Sequence, residues 1–182
     1  MAEKVKFGLK NCYYAKVTES GYATPVRLPG AVNLTLSPVG DESEFYADDS
    51  LYFGEKNNNG YDGSLELALI PESFKKDILG EILDANNVLL EDATASQSAF
   101  ALLFETTTDD GARKFVLYNC LAARPNIDAA TKSSSKEVRT ETIDITCRPN
   151  AAGHVKMRTT ATTPSSVVEG WYSEVYEETA SI

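Results

Sequence analysis

The sequence has few of the residues that enzymes most often use for catalysis or metal binding. It contains one histidine, His154, and three cysteines, Cys12, Cys120 and Cys147, which are far apart and form no CxxC pair. One histidine cannot build a zinc site, and the chain has no GxSxG, GxxxxGKS/T or GxGxxG motif. We therefore expect no enzyme activity, no metal and no cofactor, with His154 in an exposed turn and the cysteines as reduced core thiols.

Basic residues and long apolar runs are also scarce. The chain has 17 lysines and arginines against 27 aspartates and glutamates, which gives a formal net charge of −10. This balance disfavours a protein that holds nucleic acid by its phosphates. No apolar run approaches the roughly 18 residues of a membrane-spanning helix, and MAEKVKFGLK at the start lacks the apolar centre of a secretory signal. We expect no membrane association and no secretion signal.

Two weaker chemical signals come from the acidic residues. Any chain with 27 acids offers paired carboxylates of the glycosidase kind, so that signal indicates little. Residues 55–66 have the asparagine, glycine and glutamate spacing of a calcium loop, but the first position is Glu55 rather than Asp, and the flanks are strand-like rather than helical. The sequence favours a tight turn at Asn59-Gly60 followed by a strand.

Hydrophobicity along the chain alternates with a period of two, which is typical of β-strands. The alternation predicts half-buried strands with one wet face in residues 31–38, 63–71 and 142–147. Two further segments, 100–107 and 114–122, are more continuously apolar, which predicts strands covered on both faces and joined by a turn at Asp109-Asp110-Gly111.

Two short helices interrupt the strands. The segment 71–80 places Phe74, Ile78 and Leu79 on one side and ends at a glycine suited to a helix C-terminus. The segment 165–176 begins with a capping box, Ser166 and Glu169, and carries an apolar stripe through Trp171 and Val175. The fold prediction is a mainly β domain over 1–182: an antiparallel β-sandwich or open barrel with one packed helix, a strand or arm at 1–17, a long loop at 40–62, and a C-terminal helix and tail at 164–182.

The loop at 40–62 combines acidic and aromatic side chains. Six acids lie between Asp41 and Glu55 with no basic residue among them. Long loops in compact domains are usually functional or disordered, and the aromatics argue against disorder. We expect the segment to pack against a ligand, another subunit or its own sandwich. The candidates for inter-subunit contact are Phe45, Tyr46, Asp48, Asp49, Tyr52, Phe53 and Tyr61.

A β protein with open strand edges and no catalytic set suggests self-assembly, because such edges pair with other chains and identical copies close into rings or extend as filaments. Several blocks in a fixed order point the same way. They are KVKFGLKNCYYAKV, TPVRLPGAVNLTLSPVGD, EFYADDSLYF, NNGYDGSLELALIPESFKKDILGEILD, FALLFE, KFVLYNCLAARP and the W-x-x-x-VY of Trp171 to Tyr176. With this set the chain resembles the major tail protein, or tail tube protein, of long-tailed non-contractile bacteriophages. Asn87 stands where a glycine is expected in the family's turn.

The resemblance implies a structural role in the virion. Tail tube subunits form hexameric rings that stack around a tape-measure protein and leave a channel for DNA ejection. The implied partners are further copies of the chain, the tape-measure protein, the tail terminator and the baseplate or distal tail proteins. DNA would pass through without specific binding. The implied location is the virion tail, after assembly in the host cytoplasm. The helix at 71–80 would lie outside the ring, and residues 41–62 would reach a neighbouring subunit.

In such a channel the acidity has a physical purpose, since an anionic wall repels phosphates and lets DNA slide. The wet positions of the three alternating strands are the candidates for facing the lumen: Asn33, Thr35, Ser64, Glu66, Thr142 and Asp144. The alternative function is a carbohydrate- or receptor-binding β module, in which aromatic side chains of the 41–62 segment would stack on sugars.

Overall fold

The structure, a computed structural model, describes residues 5–47, 49–129, 131 and 138–179. Its strands are β1 (Lys6–Thr18), β2 (Gly21–Tyr22), β3 (Val26–Leu28), β4 (Ala31–Val39), β5 (Glu42–Ala47), β6 (Ser50–Lys56), β7 (Gly60–Leu67), β8 (Ile82–Leu83), β9 (Leu89–Leu90), β10 (Phe100–Thr108), β11 (Gly111–Ala122), β12 (Glu141–Cys147) and β13 (Lys156–Arg158). The helices are α1, which runs over Glu72–Phe74 and continues as a π-helical turn over Lys75–Leu79, and α2 (Ser165–Gly170).

The main sheet is antiparallel and has the strand order β2-β1-β10-β11-β12-β7-β4, with β3 added to β1 and β13 to β11. It folds over itself, because residues of β7 and β12 share one buried cluster with residues of β1 and β10. Asn11 and Asn119 have φ angles of 48° and 47° at shifts of strand register, which bend β1 and β11. The sheet stays open between β1 and β4, so the predicted mainly β fold with an antiparallel sandwich or open barrel is confirmed.

The N-terminal segment is a strand rather than an arm. From residue 6 onwards it forms β1, which pairs with β10 on one side and with β2 and β3 on the other. Its aromatic side chains explain this placement, because Tyr14 is buried in the core and the ring of Tyr13 stacks on Tyr172 at 4.4 Å. Residues 1–4 lie outside the described part of the chain.

The two continuously apolar segments are covered on both faces, as predicted. On one face of β10, Phe100 and Leu102 join the cluster between the two halves of the sheet. On the other face, Ala101 and Leu103 pack under Trp171 of the C-terminal segment. The hairpin between β10 and β11 turns at Asp109-Asp110, with Thr108 opposite Gly111.

Helix α1 packs on the sheet through the three residues that the sequence places on one side. Phe74, Ile78 and Leu79 are all buried. The ring of Phe74 meets the rings of Tyr14 and Phe100 edge to face, with centroids 5.1 Å and 5.5 Å away. The helix ends at Gly80, whose φ of 80° fits the left-handed C-terminal position predicted for it. No helix in the described residues is long and apolar enough to cross a membrane.

The C-terminal helix is shorter than predicted, and the prediction of a capping box at its start is wrong. Helix α2 ends at Gly170, and its N-cap is Pro164, so Ser166 lies inside the first turn and makes no cap hydrogen bond. Beyond Gly170, a weak helix former, contacts with the sheet determine the backbone path. Trp171 is buried and its Nε1 donates to the carbonyl of Phe115 at 3.3 Å. The residues Trp171 and Val175 of the predicted apolar stripe are therefore buried as expected, but the helix ends before them.

The predicted loop at 40–62 is wrong, because most of it forms paired strands. Strand β4 continues into β5 and β6 continues into β7, so residues 31–47 and 50–67 form the two sides of one long hairpin, whose last cross-strand pair is Ala47 and Ser50. Hydrogen bonds from the amide of Asn57 to Asp41 (2.9 Å) and from the amide of Asn59 to Val39 (2.8 Å) bridge the two ladders. The doublets Phe45-Tyr46 and Tyr52-Phe53 hide the alternation that would have revealed β5 and β6.

Candidate functional surfaces

One face of strands β4, β7 and β12 is polar across all three strands. The register places the six predicted wet residues in two rows, Asn33–Glu66–Thr142 and Thr35–Ser64–Asp144. All six are exposed or half-buried. The alternation predicts which side chains share the wet face of each single strand. The strand pairing shows that the wet faces of the three strands lie on the same side of the sheet. We call this surface the polar face.

The register adds a third row that sequence reasoning left out. Ser37 lies opposite Asp62, which lies opposite Thr146. Ser37 and Thr146 continue the alternation of their strands and could have been found from it. Asp62 was missed because the sequence placed it in a loop, whereas β7 begins at Gly60. The polar face therefore spans nine positions on three neighbouring strands.

The electrostatic balance of the polar face is acidic. It carries three carboxylates, those of Asp62, Glu66 and Asp144. Arg148 at one end places its Nη1 2.6 Å from Oδ1 of Asp62, and the hydroxyl of Thr140 donates to Oε1 of Glu66 at 2.6 Å. The arginine pairs with one of the three carboxylates, so among the described residues of this face negative charge predominates.

The buried side of the same strands fixes which side chains face outward. Leu65 and Ile143 are 1% and 0% exposed, in the cluster between the two halves of the sheet. A slip of one residue in register would turn these side chains toward water and bury the acids. The polar face is therefore held in place by the core behind it.

An open strand edge and a groove lie next to the polar face. Among the described strands β4 pairs with β7 alone, so its other edge carries backbone groups without a ladder. Between this edge and the first half of β1 is a groove of about 600 Å³, lined by Lys6–Leu9, residues 32–36, Phe104 and Thr106. We call it the β1–β4 groove.

The part of the long hairpin beyond Gly40, residues 41–57, is here called the distal hairpin. Its strands β5 and β6 pair with each other and with no other described strand. Among the predicted contact residues, Asp49 is exposed in the turn with a φ of 57°. Asp48 lies outside the described residues. The others on β5 and β6 have a described backbone only, and their contact roles stay predictions: Phe45, Tyr46, Tyr52 and Phe53.

Two glycines allow close backbone approach where the distal hairpin joins the sheet. A Cβ on Gly40 would lie 2.0 Å from the carbonyl oxygen of Asn57. Gly60 has a φ of 109°, and a Cβ there would lie 1.9 Å from the carbonyl oxygen of Cys147. Both are shorter than any normal contact, so no other residue fits this backbone path. Asn59 adds a hydrogen bond from its Nδ2 to Oδ2 of Asp41 at 2.9 Å.

Tyr61 was predicted as an inter-subunit contact on the long loop; it lies on a strand instead of a loop, and its contact role stays a prediction. It lies in β7, opposite Pro38 and Cys147, and it is half-buried. Its hydroxyl accepts a hydrogen bond from Nζ of Lys156 at 2.6 Å. The tyrosine is therefore bound to its own sheet. The calcium-loop spacing fails for the same reason, since residues 60–66 are strand.

The few candidates for chemistry have structural surroundings. His154 is half-buried rather than exposed, and its Nε2 lies 3.1 Å from Oε2 of Glu178. All three cysteines are buried free thiols, as expected, although Cys120 and Cys147 lie side by side on β11 and β12. Burial raises the pKa of Cys12 to about 12 and that of Cys120 well above its ordinary value, so neither is a ready nucleophile. The described residues contain no group of three or more metal-ligating side chains.

Comparison with known proteins gives a match at the level of fold. No protein-family model matches the sequence, and no curated protein matches it either. The solved cap that terminates the tube of the anti-feeding prophage is 9% identical over 86% of this chain and 94% of its own, with a TM-score of 0.52. A structure of the anti-feeding prophage baseplate is 9% identical over 84% and 94%, with a TM-score of 0.48. The chain therefore shares its fold with the cap that terminates the tube of the anti-feeding prophage.

Proposed function

We propose that the protein is a structural subunit of a phage tail that self-assembles into the stacked hexameric rings of a non-contractile tail tube. The observation that carries this proposal is the acidic polar face on three adjacent strands beside the open edge of β4. The fold shared with a prophage tube cap supports the tail assignment. The resemblance of the sequence to tail tube proteins supports the narrower one.

The open edge gives a physical route from subunit to ring. Backbone groups along the free side of β4 gain hydrogen bonds when a strand of another copy pairs with them. Repeating this pairing around a closed ring would carry the polar face of every copy to the same side. If that side is the lumen, its carboxylates repel the phosphates of DNA and the genome slides without being held.

The remaining parts of the proposal rest on the resemblance. The tape-measure protein would occupy the lumen during assembly, and the tail terminator and the baseplate or distal tail proteins would cap the two ends. The subunit would assemble in the host cytoplasm and function in the virion tail, with DNA as a passing cargo. We propose no catalytic activity, cofactor or metal.

Electron microscopy of the purified protein in negative stain, over a range of concentrations, tests the proposal. We expect hollow tubes or stacked rings at high concentration, because weak edge contacts are then populated by mass action. A strict monomer at every concentration, together with specific binding on a glycan array, would replace the proposal by the carbohydrate-binding alternative.

A further inference from the structure

The hairpin formed by β8 and β9 presents an apolar face to solvent. Ile82 and Leu90 are cross-strand partners, and they are 56% and 55% exposed. Val88 lies on the same face, two residues before Leu90, and is 59% exposed. Three neighbouring aliphatic side chains left in water are unusual for a finished surface and mark a contact site.

The hairpin is rigid enough to act as a docking element. The carboxylate of Asp84 accepts hydrogen bonds from the amides of Asn86 and Val88, both at 2.8 Å. Asn87 takes the left-handed conformation, with a φ of 61°, so it supplies the turn geometry that a glycine was expected to provide. Glu91, after β9, bonds to Arg124 at 3.0 Å and ties the hairpin to the segment that follows β11.

Acidic residues predominate around this apolar face, although Glu91 is paired with Arg124. Residues 81–92 contain four acids and no lysine or arginine. The acids are Glu81, Asp84, Glu91 and Asp92. A partner surface should therefore be apolar at its centre and basic at its rim.

The β1–β4 groove has that character. Phe7 and Val32 are 56% and 54% exposed where they line it, and Lys6 is the only charged residue among the described residues of its lining. An adjoining hollow shares Lys6 and Thr106 with the groove and is also lined by Arg113 and Arg158. No acid lines either hollow among the described residues. Arg113 is buried and bonds to Asp110 at 3.4 Å, so the exposed basic side chains of this lining are Lys6 and Arg158.

We propose that the β8–β9 hairpin of one copy docks into the β1–β4 groove of the next copy. Apolar side chains would meet apolar lining, and the acidic rim would face the basic one. The two surfaces share no residue, so each copy can offer both at once, and such a head-to-tail contact closes into a ring or extends as a filament. This inference rests on the self-assembly proposed above and names the surfaces that carry it.

The variants Val88→Glu and Val32→Glu test the contact. Each places a charge in the apolar centre of one surface, at a side chain exposed in the single subunit, so folding should be unaffected. We expect either variant alone to associate about 100-fold more weakly than the wild-type protein. Val138→Glu is the matched control, since Val138 is 86% exposed and lies on neither surface.

The decisive measurement is an equimolar mixture of the two variants, followed by analytical ultracentrifugation. The Val32→Glu copy retains an intact hairpin and the Val88→Glu copy an intact groove, so the mixture should form a one-to-one dimer and stop there. If both variants assemble like wild type, or if the folded variants stay monomeric when mixed, the hairpin and the groove are not partners. A wild-type protein that never associates would instead overturn the proposed function itself.

Discussion

Tyr14 links helix α1 to the sheet through one buried phenol. Its hydroxyl donates to Oδ2 of Asp77 at 2.8 Å, while its ring packs under Phe74. The pKa of Tyr14 is raised from its ordinary 10.0 to about 12, chiefly by burial and also by the neighbouring Asp77 carboxylate, while a contact with Ser73 acts in the lowering direction. The folded protein therefore holds this proton more tightly than the unfolded chain does.

The raised pKa makes stability depend on alkaline pH. The contribution of neutral Tyr14 is fully present below pH 10 and is lost as pH rises from 10 toward 12, because only the unfolded chain releases the proton in that window. Tyr14→Phe should unfold more easily at pH 7, by about 1.5 kcal/mol for the lost bond to a carboxylate. Its stability should then fall less steeply than that of wild type between pH 10 and 12.

Urea unfolding at several pH values measures both effects. Tyr61→Phe is the control, since it removes a tyrosine hydroxyl that bonds to Lys156 at the surface and leaves the buried phenol of Tyr14 in place. Parallel stability curves for wild type and Tyr14→Phe above pH 10 would contradict the linkage.

At the scale of elements, the distal hairpin can be removed without cutting the sheet. Glu42 and Lys56 are cross-strand partners, so residues 43–55 can be replaced by an Asn-Gly turn at that rung. We expect the shortened protein to unfold at nearly the wild-type temperature, because β5 and β6 pair with no other described strand. Tube formation should be lost if the segment is the inter-subunit arm.

The control for this deletion keeps the hairpin length and changes only its tip. Replacing Asp48-Asp49 by Asn-Gly preserves a two-residue turn and should preserve the strands. Circular dichroism establishes folding, and electron microscopy scores the tubes. Normal tubes from the shortened protein would show that the joint between subunits lies elsewhere.

The same elements show how far sequence patterns reach. Alternation predicts β4, β7 and β12 and the wet face of each, because period two is a property of a single strand. It cannot give the register between strands, which depends on turn geometry, as between the paired Ala47 and Ser50, and on close backbone approach at Gly60. The stripe through Trp171 predicts burial correctly but not helix, since its contacts with Phe115 decide the backbone path.

At the scale of the whole molecule, the polar face should decide how an assembled tube treats DNA. The double variant Glu66→Lys and Asp144→Lys changes two carboxylates into two ammonium groups in adjacent rows. Tubes of this variant should retain double-stranded DNA at low salt and release it steeply as salt increases, because basic contacts bind phosphates with counterion release. Wild-type tubes should retain none.

The matched control makes the same change in net charge away from the polar face. Glu19→Lys with Asp128→Lys alters two exposed acids on connecting segments. Filter retention of labelled DNA over a salt series measures both sets of tubes. Equal retention by the two double variants would mean that net charge matters and that the polar face has no special access to DNA.

The continuous hairpin of residues 31–67 also has a mechanical consequence. From Ala31 to Ala47, one side of it measures about 50 Å at 3.3 Å per residue. This long hairpin carries the distal hairpin at one end. At the other end its strands β4 and β7 supply two of the three residues in every row of the polar face. In the proposed stack of subunits, a neighbour that displaces the tip would load the hairpin as a lever, with the crowded backbone at Gly40 and Gly60 as its pivot. In a stack of subunits, such levers would pass a displacement from ring to ring along the tube while every fold stays intact.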